Sequence, residues 1–116
     1  MDTIIPLRLM VLPEARPVAL AKPAVLVGRH SDVELRLAYP DVSRRHCRLV
    51  YADGVWQIQD LDSLNGLFVN GERMHEATLY EGDQLRLGEA TLVVTEAPEP
   101  DGSQVLRNIA DALPQK

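Results

Sequence analysis

The sequence predicts an all-β fold, an antiparallel sandwich of ten or eleven short strands followed by a short helical C-terminal tail. Three observations predict it. Nearly every apolar stretch is short, rich in Leu and β-branched residues, and closed by a turn signal. Helical periodicity is absent until Ser103. The chain has 116 residues, 46% apolar and 25% charged, which is the make-up of one globular domain and excludes collagen-like, coiled-coil and disordered chains. Aromatic residues supply only 4%, so Leu and Val must fill the core.

Thr3–Leu12 reads as a first strand, with Leu7, Leu9 and Val11 on one face, Arg8 on the other, and Pro13 as its stop. Pro17–Leu20 and Ala24–Gly28 follow as short strands. Val33, Leu35 and Leu37 then alternate with Glu34 and Arg36, the period-2 pattern of a half-buried strand. From Ala38 to Arg45 the pattern breaks into a loop. Alternation resumes at Cys47, Leu49 and Tyr51, and Asp53-Gly54 marks a hairpin because Asp and Gly accept the positive φ of its tight turn. Val55–Asp60 returns with Trp56 and Ile58 facing one way. Asn65-Gly66 and Asn70-Gly71 repeat the turn signal around Leu67-Phe68-Val69. Glu81-Gly82-Asp83 turns into Gln84–Leu87, and Gly88-Glu89 into Ala90–Thr95.

Beyond Glu96, Ala-Pro-Glu-Pro-Asp-Gly-Ser reads as a linker. Val105, Leu106, Ile109 and Leu113 then fall at helical spacing and Pro114 ends the run. The organisation expected is a sandwich domain over 1–96 and a linker with an amphipathic tail over 97–116. So short a helix is marginal alone and packs back on the sandwich or meets a partner.

A net charge of −5 argues against a nucleic-acid binder or a membrane-surface protein. No apolar run reaches the roughly 20 residues of a membrane helix, and the first residues lack a basic leader. The single Cys47 forms no internal disulfide, so a cytoplasmic chain is expected. Charge is unevenly placed: Arg29 to Arg48 holds five arginines against three acids on an otherwise acidic chain. That contrast suits a small anionic ligand. Arg29, Ser43, Arg44 and Arg45 lie on loops, where planar guanidinium donors and a hydroxyl meet phosphate or carboxylate oxygens.

No catalytic residue is expected, since a Gly-x-Ser-x-Gly elbow is absent around Ser43 and His46 starts a strand. Neither is a metal or other cofactor, because His30, His46, Cys47 and His75 form no spaced ligand pair.

Four segments carry a family resemblance: Val27-Gly28-Arg29-His30, Val42-Ser43-Arg44-Arg45-His46, Asp60 through Gly71, and Leu79-Tyr80-Glu81-Gly82-Asp83-Gln84-Leu85. In this order and spacing they resemble the successive motifs of a forkhead-associated (FHA) domain over roughly residues 3 to 95. The resemblance implies an eleven-stranded β-sandwich whose apical loops bind phosphothreonine in a partner's extended segment, in signalling linked to Ser/Thr kinases. By position it implies that Arg29 contacts the phosphopeptide, Ser43 the phosphate, Arg44 a second phosphate oxygen, and Asn65 the peptide backbone. Leu64 and Leu67 stand where many members carry threonine, and the neighbouring Ser63 supplies part of that missing hydroxyl. Leu64 and Ser63 are thus expected at the phosphopeptide site. Gly28, His46, Gly66 and Asn70 are expected to support the loops.

The partner expected is a threonine-phosphorylated protein or peptide, with no nucleic acid and no membrane, and with self-association left open. A second reading keeps the fold but makes it a phosphate-independent interaction or oligomerisation domain. A phosphorylated Thr3 docking on its own or a neighbouring chain is a further option, although packing is the simpler role for that residue.

Overall fold

Period-2 alternation becomes strand after strand wherever one face can be buried. The computed structural model describes residues 3–99 and contains eleven strands. They are β1 (Leu7–Leu12), β2 (Arg16–Leu20), β3 (Ala24–Gly28), β4 (Leu35–Arg36), β5 (Cys47–Ala52), β6 (Val55–Asp60), β7 (Phe68–Val69), β8 (Glu72–Arg73), β9 (Glu76–Thr78), β10 (Gln84–Leu87) and β11 (Ala90–Glu96). One sheet has the order β2-β1-β11-β10-β7-β8 and the other β4-β3-β5-β6-β9. Leu7, Leu9, Val11, Leu85, Leu87, Leu92 and Val94 from the first sheet meet Val25, Val27, Leu49, Trp56 and Ile58 from the second in one continuous core.

Four details depart from the sequence expectation. The first strand begins at Leu7, not Thr3. Pro6 has no N–H to give a ladder, and the carbonyl of Ile5 instead accepts the Trp56 indole N–H at 2.8 Å. Second, Val33, Leu35 and Leu37 are buried and Glu34 and Arg36 exposed as their alternation predicts, yet only Leu35–Arg36 pairs, and it pairs parallel to β3. There the Glu34 carboxylate takes the Leu26 N–H at 2.7 Å, filling a place a longer strand would occupy. Third, Asp53-Gly54 and Asn70-Gly71 have positive φ at both residues, as hairpin turns require, but at Asn65-Gly66 only the glycine does, with φ +86°. That dipeptide is a bend within a loop. The fourth departure is two short polar strands, β8 and β9, that carry no periodic signal. The helical tail expected around Ser103–Leu113 lies outside the described residues.

The turns divide between two poles. The β5–β6 turn, Thr3 and Ile4 share one pole, where they line a cavity of about 640 Å³ without a cationic side chain. Ile5, Pro6 and Arg8 meet Glu96, Ala97 and Pro98 at the same end of β1 and β11. The loops after β3, β4 and β6 gather at the other pole. Among the described residues no helix is long and apolar enough to cross a membrane.

Candidate functional site

Three loops make the site, and the backbone fixes how they meet. Leaving β3, the Arg29 and His30 N–H groups donate to the carbonyls of Ser43 at 3.0 Å and Arg44 at 3.1 Å, laying the two loops side by side. Gly28 permits this contact: an added Cβ would stand 2.0 Å from the Arg44 carbonyl oxygen. The loop after β6 is tied on through side chains. The Leu64 N–H donates to Ser43 Oγ at 3.0 Å, and Asn65 Nδ2 donates to the Asp41 carbonyl at 2.8 Å.

Underneath lies His46, with no solvent exposure. Its Nδ1 accepts the Ser43 N–H at 3.1 Å, so the ring proton is assigned to Nε2, which donates to the Gly66 carbonyl at 2.8 Å. One neutral imidazole thereby joins the β4–β5 and β6–β7 loops. The neighbouring Cys47 is buried in the core, where desolvation pushes its thiol pKa up, so it offers no nucleophile to the site.

Arg29, Ser43, Arg44, Leu64 and Asn65 line one open pocket of about 310 Å³ with Pro40, Asp41 and Val42. Arg29 is half-buried and its Nε donates to the Val42 carbonyl at 2.9 Å, while its terminal nitrogens have no partner among the described residues. Arg44 is exposed, and its guanidinium has no hydrogen-bond or ion-pair partner among the described residues. Arg45 is different: its guanidinium bonds Asp32 at 2.7 Å, and that contact, reinforced by His30, holds the Asp32 carboxyl below its ordinary 3.8. Ser43 Oγ accepts from Leu64, so its own proton remains for a ligand.

Ser63 does not join this group. It is buried, its hydroxyl donates to Asp60 Oδ1 at 2.5 Å, and its oxygen accepts the Gly66 N–H at 3.0 Å. Its hydroxyl is thus a staple inside the loop. Asn70 supports a different turn, donating from Nδ2 to Asp83 at 3.0 Å and accepting the Gln84 N–H at 2.9 Å. The sequence reading missed Asp41, whose carbonyl seats Asn65 and whose carboxyl group lies against Gly88, and Asp60, which holds Ser63. The spacing Asp60-x-x-Ser63 was the available signal for the second.

Gly66 has φ +86° and the Arg73 guanidinium 2.8 Å from an added Cβ. Gly66→Val is therefore expected to cost about 2 kcal/mol, since the left-handed region disfavours any side chain and most of all a β-branched one. Thermal melting followed by circular dichroism checks this, and an unchanged midpoint would refute it.

A β-sandwich whose loops bring a hydroxyl and two arginines into one pocket at one pole has the form of a loop-borne recognition domain. The family model for the FHA domain matches residues 25–88, and the chain belongs to the FHA family. It is 38% identical over 84 residues to the glycogen accumulation regulator GarA of Mycolicibacterium smegmatis, covering 72% of this chain and 53% of that protein. It is 37% identical over 79 residues to the oxoglutarate dehydrogenase inhibitor of Corynebacterium diphtheriae, covering 68% and 55%. The chain thus spans about half the length of these curated relatives. An FHA domain analysed for phosphothreonine-dependent interactions superposes with a TM-score of 0.73 at 32% identity, covering 78% of this chain and 95% of that one. The FhaA FHA domain, solved with the intracellular domain of Rv3910, gives 0.72 at 32% identity, covering 76% and 98%.

Proposed function

We infer that this chain is a non-catalytic phosphothreonine-peptide-binding module acting in Ser/Thr kinase signalling. The observation that carries the reading is the Ser43 hydroxyl, its oxygen accepting from Leu64 and its proton free, set in one pocket with the Arg44 guanidinium and the terminal nitrogens of Arg29, which have no partner among the described residues. A phosphate dianion offers three acceptor oxygens to these donors. Each charge-assisted bond contributes about 1.5–3 kcal/mol net, and micromolar affinity needs only about −8 kcal/mol, so an open pocket suffices. Asn65 spends one amide proton on Asp41, which leaves its carbonyl oxygen and second proton to grip the peptide backbone beside the phosphothreonine.

His46, Gly28 and Gly66 support the loops from beneath, and Ser63 contributes through Gly66 rather than by touching phosphate. The module occupies 1–96, with 97–116 as a linker and tail. The compartment assigned is the cytoplasm, in keeping with a free, buried Cys47. The partner is a threonine-phosphorylated protein, with no role for nucleic acid.

Calorimetric titration of the full chain with a phosphothreonine peptide pool, beside the same pool unphosphorylated, tests the reading. Binding is expected only with phosphate, and Ser43→Ala and Arg29→Ala are each expected to weaken it by about tenfold or more. Equal binding of the unphosphorylated pool would instead make this a phosphate-independent interaction domain.

A further inference from the structure

Leu64 has 86% of its surface exposed. Among the described residues, the other large apolar side chain left in water is Ile5, at 49% and at the opposite pole. A single exposed leucine needs no explanation on a mobile tip. This one is held. Its own N–H is bonded to Ser43 Oγ, the next residue is bonded to the Asp41 carbonyl, and the one after to Ser63 Oγ. The isobutyl group therefore stands on a fixed backbone at the wall of the pocket, with Pro40 and Val42 as its apolar companions.

Resting on the phosphothreonine reading, we propose that Leu64 is a specificity-determining residue that selects segments with an aliphatic side chain beside the phosphothreonine. Arg29, Ser43 and Arg44 contact only what every phosphothreonine shares, so they anchor a ligand without reading its sequence. Leu64 adds the missing discrimination. An aliphatic neighbour laid on it removes apolar surface from water, whereas Asp, Asn or Lys at that place loses hydration and gains no partner. Because the loop is already ordered, little conformational entropy is lost when the contact forms.

The test titrates the full chain with phosphothreonine peptides on an alanine background, placing Leu or Asp at each flanking position in turn. Wild type, Leu64→Ser and Leu64→Met are compared, and the Leu-to-Ala affinity ratio is read within each protein. At one flanking position wild type is expected to favour Leu over Ala by about tenfold. That ratio should fall to near unity in Leu64→Ser and persist in Leu64→Met. Phosphate-dependent binding with no aliphatic preference at any position, or with a preference that Leu64→Ser keeps, overturns this inference and leaves the phosphothreonine reading standing. Peptides that bind no better with phosphate than without overturn both.

Discussion

His46→Ala is expected to lose about 4 kcal/mol of folding stability. The ring fills a site with no solvent exposure and satisfies two backbone groups on different loops, the Ser43 N–H and the Gly66 carbonyl. Each orphaned buried group costs about 1–3 kcal/mol, and the vacated volume adds a cavity term. A domain of this size shifts its melting temperature by roughly 4–8 °C per kcal/mol, so a fall of about 15 °C or more should be seen by circular dichroism. Against a typical total of about 5–15 kcal/mol, the variant stays only marginally folded. His46→Leu separates the contributions, since it refills most of the volume but restores neither hydrogen bond, and its loss should be smaller. A melting temperature within a few degrees of wild type in both variants would show that the imidazole is not the tie between the loops.

Gly28→Ala should be nearly as damaging for a different reason. Gly28 needs space rather than an unusual φ: the added carbon would meet the Arg44 carbonyl oxygen at 2.0 Å, its carbon at 2.7 Å and the Arg45 Cα at 3.0 Å. All three are main-chain atoms. They cannot swing aside as a long side chain does, because Arg29, His30 and Leu37 lock this stretch by hydrogen bonds of 3.0, 3.1 and 2.7 Å. Either the loop moves away or the strand does, at about 3 kcal/mol, the upper range for overpacking. The displaced segment carries Ser43 and Arg44, so phosphopeptide affinity in the protein that remains folded should drop by more than about tenfold. Denaturant melting and calorimetry measure the two effects. Unaltered stability together with unaltered affinity would mean that the loops are not in contact at Gly28.

Much of this was legible in the sequence, and the reason is burial. In β1, β5, β6 and β10 one face is covered and the other wet, so Leu7, Leu9 and Val11, or Trp56 and Ile58, announce their strand by alternation. Asp53-Gly54 and Asn70-Gly71 were equally readable because a two-residue hairpin turn depends on those residues alone. Asn65-Gly66 shows where local chemistry stops deciding. The same dipeptide forms a bend there, with the Asn65 side chain drawn across to the Asp41 carbonyl by a loop distant in sequence. The parallel pairing of β4 was hidden similarly, since it depends on where Glu34 finds a donor.

At the site, the family pattern carried Arg29, Ser43, Arg44, Leu64 and Asn65 to the same pocket, although nothing in periodicity brings those loops together. Ser63 is the instructive exception. A hydroxyl beside Leu64 in the sequence looks available to phosphate, but Asp60 lies three residues before it and claims it. Asp41 escaped notice because its part is played by a main-chain carbonyl, which no side-chain pattern advertises.

The two poles of the sandwich set a working distance. Thr3 and Ile4 lie beside the β5–β6 turn and Ala97 and Pro98 beside Ile5 and Pro6, while the pocket opens at the far ends of β3 and β6. β5 and β6 are six residues long, which places about 20 Å of rigid sheet between the two. The pocket and the first and last described residues of the domain are therefore held apart by a fixed spacer. Whatever seats itself in the pocket thus meets the pole opposite the one where Thr3 and Pro98 lie.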